Sequence, residues 1–305
     1  MGDDCCNPES MGRVVDHLQH LLPATFIHSV RVGDSADEDR NAGFFGVIRE
    51  QASNQSLVSE VDAKKRRNLF QVDVVCNQLA VIPELANGFN AIGFSQGGLF
   101  LRAYVEQCNQ PPVRRLITFG SPHAGVSDVP NCVNQYDLKC LLMRSIVRRG
   151  VYTSYVQHRV VQAQYFKDFK RYEDYLGSNI FLPDLNNELS QKNQTYANRL
   201  AQLDVFVMIR FAEDTMLKPA ETSWFWTLDE EDNLIPLEEQ DLYHQDWLGL
   251  KRLHQEGRLK FLVSPGRHMQ ISDDYLEKEV VWPYLADNHH RFLDQSRDTL
   301  LPVRS

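Results

Sequence analysis

The amino-acid sequence predicts an α/β fold, in which a mainly parallel sheet carries helices on both faces. Apolar runs typical of buried strands recur at 113–121, 204–211 and 259–264, and strands buried on both faces are characteristic of parallel sheets. Segments with apolar residues at helical spacing lie between these runs. The chain has 305 residues and is 43% hydrophobic, which is enough for a substantial core. Residues 1–305 are therefore interpreted as one domain.

The N-terminal part of the chain is predicted to form a helix and then a strand. Asn7 and Pro8 are typical of a helix start, because Asn caps the first turn and Pro fits the first helical position. Apolar residues then recur at helical spacing over 11–22. The segment 24–33, ATFIHSVRVG, predicts a strand that ends at Gly33.

An insertion precedes the next helices and strands. Residues 47–67 are polar and have no clear period, so they are interpreted as an exposed insertion. Helical spacing resumes over 69–82, a short strand-like run covers 89–94, and a second helical pattern covers 97–108. This alternation is typical of strand–helix units in a parallel sheet.

A long stretch without strand character, residues 122–203, separates two of the predicted strands. We expect it to be a helical insertion above the carboxyl edge of the sheet. Within it, Tyr152, Val156, Val160 and Ala163 form an apolar stripe at helical spacing. The main role expected for this stripe is to pack the insertion onto the core.

Composition and charge exclude several classes of function. The formal net charge is −9, which argues against a nucleic-acid binder, since such proteins need a basic face. A membrane-spanning helix needs about 18 consecutive apolar residues, and no apolar run in the sequence is that long. The six cysteines show no zinc-finger spacing, and no H-E-x-x-H motif occurs. We therefore expect neither a metal nor an organic cofactor.

The central motif of the chain is G-x-S-x-G at residues 93–97, with Ser95 in the middle. The pattern alone is weak, and the alternative is a serine in an ordinary strand-to-helix turn. Here it lies between a strand-like run and a helical pattern, which is the context of the nucleophile elbow in the α/β-hydrolase fold. Side chains at positions 93 and 97 are expected to collide with neighbouring elements. The α/β-hydrolase fold is therefore the specific prediction.

The acid of such a site follows the nucleophile in the chain and lies after a later strand. Asp214 stands just past the run 204–211 and is the preferred candidate. The adjacent Glu213 is an alternative, whereas Asp204 lies at the wrong end of the strand. A loop carboxylate or a helix cap is the alternative reading of Asp214.

The catalytic histidine is expected after the last strand. His268 follows the run 259–264 in a loop and is the preferred general base for Ser95. His123 is the main rival, but it precedes the acid candidate, so the chain order would be wrong. The backbone N–H of Gln96, directly after the nucleophile, is expected to be one donor to the oxyanion.

Several segments together resemble the palmitoyl-protein thioesterase family, whose lysosomal members remove long-chain acyl groups from cysteine thiols. The resemblance runs in order from residue 1 to about 284, interrupted mainly around 47–67. The segments that carry it are MGDDCCNPESMG (1–12), GFNAIGFSQGGLFLRA (88–103), FLPDLN (181–186), IPLEEQDLY (235–243) and HQDWLGLK (244–251).

The resemblance implies a role for each candidate residue. Ser95 matches the family's nucleophile, Asp214 its acid and His268 its base. Gln96 matches one oxyanion donor, and Met1 falls on the position of the other. The substrates implied are S-acylated proteins or peptides.

The resemblance also implies a substrate groove and a set of disulfides. The inserted block 122–203 matches the helical region that forms the acyl groove, with Phe166 and Met216 expected to touch the acyl chain. The disulfides implied are Cys5–Cys6, Cys76–Cys108 and Cys132–Cys140.

A lysosomal or secreted location follows from the same resemblance. The sequons at Asn54 and Asn193 suit glycosylation in such a location. The family carries a signal peptide, a strand and a His-Gly pair ahead of the position of Met1. We therefore expect this chain to be an N-terminally incomplete version of such an enzyme.

Two alternatives stay open beside the thioesterase. A thioester and an oxygen ester are attacked by the same triad, so a lipase or carboxylesterase of the same fold is one alternative. The other is a non-catalytic acyl-binding relative whose oxyanion hole is broken.

Overall fold

The computed structural model describes residues 4–48, 70–128, 147 and 149–286. The strands in these residues are β1 (Phe89–Phe94), β2 (Val113–Phe119), β3 (Val205–Phe211), β4 (Thr227–Leu228), β5 (Leu234–Ile235) and β6 (Leu259–Ser264). Four of them form a parallel sheet with the order β1-β2-β3-β6. β4 and β5 pair as a small antiparallel ribbon.

The parallel sheet confirms the predicted fold class, and the four predicted internal strands that compose it are confirmed with it. β3 lies between two neighbours, with Val207 opposite Ile117 of β2 on one side and Lys260 of β6 on the other. Every residue of β3 except Arg210 is buried. A strand covered on both faces reads as a continuous apolar run, which is why the sequence revealed it.

The helices of the described residues alternate with the strands. They are α1 (Met11–Leu21), α2 (Ala36–Ala42), α3 (Gln71–Ala80), α4 (Gln96–Gln107), α5 (Ser154–Gln157), α6 (Tyr172–Ser178), α7 (Leu182–Leu185), α8 (Gln194–Leu200), α9 (Asp241–His244), α10 (Leu250–Gln255) and α11 (Asp273–Tyr275). A π-helical segment covers Leu276–Leu285. Short 3-10 turns cover Pro83–Leu85, Val161–Tyr165, Phe169–Arg171, Ala220–Trp224 and Leu237–Glu239. Within the ranges described, no helix combines the length and hydropathy of a membrane span.

The sheet has a hydrophobic core on each face. Leu99 of α4 and Leu116 of β2 belong to one core, which also includes the helices between β2 and β3. Leu18 of α1 and Val281 of the π-helical segment pack with Val207 in the other. Helices therefore cover both faces, as predicted, and their apolar sides supply most of the stabilisation.

The first helix begins later than the sequence indicated. Ser10 rather than Asn7 is the N-cap residue of α1. The carbonyl of Asn7 accepts the N–H groups of Ser10 at 3.1 Å and Gly12 at 2.8 Å, and its side chain accepts the N–H of Glu9 at 3.0 Å. Asn7 therefore organises a turn ahead of the helix, because a short polar side chain bonds nearby backbone in turns as readily as at caps.

The strand predicted at 24–33 is not present in the structure, and this prediction was wrong. Residues 26–31 carry no regular secondary structure. A mainly apolar cavity of about 440 Å³ is lined by this segment on one side and by β1 on the other. Without a neighbour at hydrogen-bonding distance, an apolar and β-branched segment has no ladder to join. In the described residues β1 is consequently an edge strand.

The start of the region predicted as an exposed insertion, 47–67, is buried. Ile48 is fully buried, and its N–H donates to Oε1 of Gln164 at 2.9 Å. Val47 forms a parallel bridge with Phe70. The prediction was therefore wrong at this edge, because two apolar residues anchor the chain to the core. Residues 49–69 lie outside the described residues.

The block between β2 and β3 consists of short helices and turns where the structure describes it. Ala163 of the predicted apolar stripe is buried, and Tyr152, Val156 and Val160 are partly buried against the core that contains Leu99. The stripe therefore packs the block onto the core, as expected.

Two of the three implied disulfides are formed in the structure. Cys5 is bonded to Cys6. Cys76 of α3 is bonded to Cys108, the residue that ends α4, with the Cα atoms 6.4 Å apart. The third implied pair, Cys132 and Cys140, lies outside the described residues. The Cys76–Cys108 bond links the helices on either side of β1.

Replacing both Cys76 and Cys108 with serine is expected to lower the free energy of unfolding by about 3–4 kcal/mol, because the cross-link constrains the unfolded chain. The two positions are separated by 32 residues in sequence. Urea denaturation of the oxidised wild type and of the double variant measures the difference. An unfolding free energy equal to that of the wild type would contradict the prediction.

Candidate active site

Ser95 occupies a tight turn between β1 and α4. Its backbone has φ 51° and ψ −126°, in a region that non-glycine residues rarely adopt. The turn is held by the N–H of Ser95, which donates to the carbonyl of Phe119 at 2.7 Å, and by its carbonyl, which accepts the N–H of Gly98 at 3.1 Å. A serine strained in this way between a strand and a helix has the backbone geometry of a nucleophile elbow.

Glycines allow α4 to approach the sheet at the elbow, but not at both positions expected. A Cβ atom on Gly93 would lie 2.4 Å from the Cα of Gly98, as predicted for position 93. A Cβ on Gly97 would meet no described atom within 4 Å, so that part of the prediction was wrong. The second crowded glycine is Gly98, where a Cβ would lie 2.0 Å from Oγ of Ser121.

A chain of two hydrogen bonds joins the three candidate catalytic residues. Nε2 of His268 lies 3.0 Å from Oγ of Ser95, and Nδ1 of His268 lies 2.7 Å from Oδ2 of Asp214. Each residue follows the carboxyl end of a strand: Ser95 follows β1, Asp214 follows β3 and His268 follows β6. Because these strands are parallel members of one sheet, residues far apart in the chain meet at its carboxyl edge.

Asp214 is held in place by backbone donors as well as by the histidine. Its side chain is fully shielded from solvent. Oδ1 accepts the N–H groups of Met216 at 2.8 Å and Leu217 at 3.0 Å, which leaves Oδ2 for His268. The alternative Glu213 is exposed. Of the two candidate acids, Asp214 is therefore the one that is bonded to His268.

The geometry determines the proton positions on the imidazole. A carboxylate oxygen can only accept, so Nδ1 of His268 carries a proton that it donates to Asp214. Nε2 is then an acceptor for the hydroxyl of Ser95. The ring of Phe211 lies edge-on to the imidazole, with centroids 5.6 Å apart. The histidine is thus oriented for general base catalysis toward Ser95.

The rival histidine, His123, is a buried residue of the core. Its Nε2 atom lies 3.0 Å from Oγ1 of Thr118, and its ring stacks on Phe225 with a centroid distance of 5.0 Å. Burial, together with the charge of Arg102, holds the pKa of His123 well below its usual value. The imidazole is therefore neutral at physiological pH.

The expected oxyanion donors are only partly described. Gln96 is the first residue of α4, where backbone N–H groups have no partner within the helix and the helix dipole favours negative charge. Its side-chain carbonyl accepts the hydroxyl of Tyr165 at 3.2 Å. Sequence reasoning missed Tyr165, since no motif marks it. Met1 lies outside the described residues.

The residues expected in the acyl groove have different surroundings. Phe166 is buried in the core that also contains Leu217, and its backbone bridges Val126. Met216 is partly buried, and its N–H is bonded to Asp214. Met216 therefore lies beside the acid, and Phe166 lies in the inserted block.

One of the two glycosylation candidates is described. Asn193 is exposed and caps α8, because its side-chain oxygen accepts the N–H of Thr195 at 3.0 Å. Asn54 lies outside the described residues. In the part of the chain that the structure describes, no group of three or more His, Cys, Asp or Glu side chains is placed to hold a metal ion.

Gly98→Ala and Gly97→Ala are expected to change stability in opposite directions. A methyl group at position 98 overpacks the contact with Ser121 and Thr118, which typically costs about 1–3 kcal/mol. A methyl group at position 97 meets open space, and replacing a helical glycine with alanine gains up to about 1 kcal/mol. Thermal denaturation of both variants checks this; equal melting temperatures would refute the packing argument.

Known proteins resemble the chain over most of its length. The sequence model of the palmitoyl protein thioesterase family matches residues 1–268. Palmitoyl-protein thioesterase 1 of Caenorhabditis elegans is 37% identical over 286 residues, which are 93% of this chain and 89% of the relative. Palmitoyl-protein thioesterase 3 of Dictyostelium discoideum is 29% identical over 92% of this chain and 86% of its own. A lysosomal thioesterase PPT2 homolog of Drosophila melanogaster is 30% identical over 70% of this chain and 75% of its own.

These matches agree with the architecture. The parallel sheet and the strained serine turn are features of α/β hydrolases, and the family model covers residues 1–268 of a chain of 305. The chain belongs to the palmitoyl-protein thioesterase family.

Proposed function

We propose that this chain is a serine thioesterase that hydrolyses long-chain acyl thioesters on the cysteines of lipidated proteins through an acyl-serine intermediate. The observation that carries the proposal is the pair of hydrogen bonds from His268 to Ser95 and Asp214, at 3.0 and 2.7 Å. Membership of the palmitoyl-protein thioesterase family supports the choice of substrate.

The acylation step begins at the serine hydroxyl. Nε2 of His268 takes the proton of Ser95 while Oγ forms a bond to the thioester carbonyl carbon. The carbonyl oxygen becomes an oxyanion, for which the N–H of Gln96 is one proposed donor and the backbone at Met1 the other. When the intermediate collapses, the C–S bond breaks, and His268 returns the proton to the cysteine thiolate.

The deacylation step reverses these roles on water. His268 takes a proton from a water molecule, which attacks the acyl-serine carbonyl. Collapse of the second tetrahedral intermediate releases the fatty acid and returns the proton to Oγ of Ser95. Asp214 stabilises the imidazolium formed in both steps, and the two backbone donors on its other oxygen keep it oriented. The reaction requires no metal or organic cofactor.

The acyl chain is proposed to lie between the inserted block 122–203 and the carboxyl edge of the sheet. Met216 is two residues beyond the acid and Phe166 belongs to the block, so a chain leaving the reactive carbonyl between them would touch both. Each methylene that is buried contributes about 0.8 kcal/mol. A long apolar acyl group is therefore favoured over a short one.

We further propose a lysosomal or secreted location. The bonds Cys5–Cys6 and Cys76–Cys108 support it, since such bonds persist in oxidising compartments. The Drosophila relative is named a lysosomal thioesterase. Asn193 is proposed as a glycosylated residue because it is exposed within its sequon, and Asn54 is proposed on its sequon alone.

Ser95→Ala is expected to abolish hydrolysis of a palmitoyl-cysteine peptide, with a loss on the order of 10⁶ in kcat, because the members of a serine triad act as a unit. Asp214→Asn is expected to lose on the order of 10⁴, since His268 then adopts the wrong tautomer. The exposed neighbour Glu213 supplies the matched control, Glu213→Gln, which should retain activity. Full activity in Asp214→Asn with an inactive Glu213→Gln would contradict the assignment.

The same assay separates a thioesterase from a lipase or carboxylesterase. The wild type is compared on a palmitoyl thioester and on the oxygen ester of the same acyl group. A higher kcat/KM for the oxygen ester would favour the lipase or carboxylesterase.

Met216→Trp is expected to shift the chain-length preference toward shorter acyl thioesters, because the larger ring narrows the space beside Asp214. The ratio of kcat/KM for C16 and C8 thioesters measures the shift. An unchanged ratio in a folded variant would count against placing the acyl chain at Met216.

A further inference from the structure

A buried hydrogen bond joins the inserted block to the residue after the nucleophile. The hydroxyl of Tyr165 lies 3.2 Å from Oε1 of Gln96, although the two residues are 69 positions apart in the chain. Both residues are buried. Burial raises the pKa of Tyr165 above its ordinary value. The phenol therefore stays protonated at physiological pH and donates a hydrogen bond to Gln96.

The backbone around Tyr165 is fixed by the segment that follows β2. The carbonyl of Tyr165 accepts the N–H of Val126 at 3.0 Å, and the N–H of Lys167 donates to the carbonyl of Val126 at 2.8 Å. These two bonds hold both sides of the residue. The phenol is therefore presented to Gln96 from a rigid support rather than from a free loop.

A second contact fixes the block to the same helix. Arg102 of α4 donates to Oδ1 of Asn186 at 2.7 Å, and Lys167 donates to the buried Glu188 at 2.6 Å. The amide of Asn186 and the carboxylate of Glu188 are 3.4 Å apart. The block is thus bonded to α4 at its first residue and again six residues later, so two separate contacts hold Tyr165 next to Gln96.

We propose that Tyr165 is a positioning residue, whose hydroxyl holds Gln96 so that the backbone N–H of Gln96 is directed at the oxyanion that forms when Ser95 attacks. The inference rests on the proposed function for its substrate. The first turn of a helix has few bonds of its own, so an external tether restrains its orientation. Such a donor is effective only when it is aligned before the charge develops.

The expected effects follow from where the donor acts. Tyr165→Phe keeps the ring and removes the hydroxyl, so kcat for a palmitoyl thioester should fall about 10-fold while KM stays within twofold. The rate of Ser95 labelling by a fluorophosphonate should fall by a similar factor, because the phosphoryl oxygen uses the same donor. Gln96→Met keeps the length of the side chain and removes the oxygen that accepts the hydrogen bond from Tyr165. We expect it to lower kcat and the labelling rate by similar factors. The double variant should be no slower than the single ones.

Tyr104→Phe is the matched control. The hydroxyl of Tyr104 is also buried, and it donates to the carbonyl of Pro111 at 2.7 Å. The substitution therefore removes a comparable hydrogen bond near the other end of α4, away from Ser95. We expect it to lower the melting temperature without changing the labelling rate.

The outcomes separate the two proposals. A slower labelling rate in Tyr165→Phe supports the positioning role, whether or not the wild type cleaves a thioester. Failure of the wild type to cleave a thioester would refute only the proposed function. If the wild type cleaves the thioester and Tyr165→Phe leaves both kcat and the labelling rate at wild-type values, the positioning role is overturned. A Tyr104→Phe variant that slows labelling equally would also overturn it, since the effect would then be one of stability.

Discussion

The close approach of α4 to the sheet is the constraint on which the active site depends. Gly93 and Gly98 leave no room for a Cβ atom on either side of the turn, so the helix starts directly above the end of β1. This arrangement forces Ser95 into a positive φ, a conformation that costs about 1–3 kcal/mol and that the surrounding packing must offset. The same turn places Oγ of Ser95 3.0 Å from Nε2 of His268.

A buried cation connects this helix to the block above it. Arg102 is fully buried and forms an ion pair with Glu106 at 2.9 Å. It also donates hydrogen bonds to the side chain of Asn186 and to the carbonyls of Leu185 and His123. Its guanidinium lies over the ring of Phe225. Removing a charge from water is costly unless it is paired and hydrogen-bonded. Partners from separate segments bond to the two terminal nitrogens of Arg102, and each of these segments is thereby held relative to α4.

Much of the site followed from sequence because it depends on order and burial. β3 was visible as an unbroken apolar run, and Ser95, Asp214 and His268 follow strands in the order that the fold requires. Whether a segment has a neighbouring strand to pair with is harder to predict from the sequence. Residues 24–33 have strand composition, yet apolar composition reports burial and not whether a neighbouring strand is present. Gly98 and Tyr165 were not predicted from the sequence, because each makes its contact with a residue far away in the chain, which no local spacing records.

The bridge between Val47 and Phe70 also has a consequence for how the sequence can change. The N–H groups of Gln71 and Val72 donate to the carbonyls of Val47 and Ile48 at 3.2 and 3.3 Å, so two points of the chain that are more than twenty residues apart in sequence are fixed side by side. The entropy of closing a loop grows only with the logarithm of its length, and doubling the length adds about 0.6 kcal/mol. With both points fixed, a change in the number of residues that join them is therefore expected to change the free energy of folding little and to leave α3 and Gln164 in place.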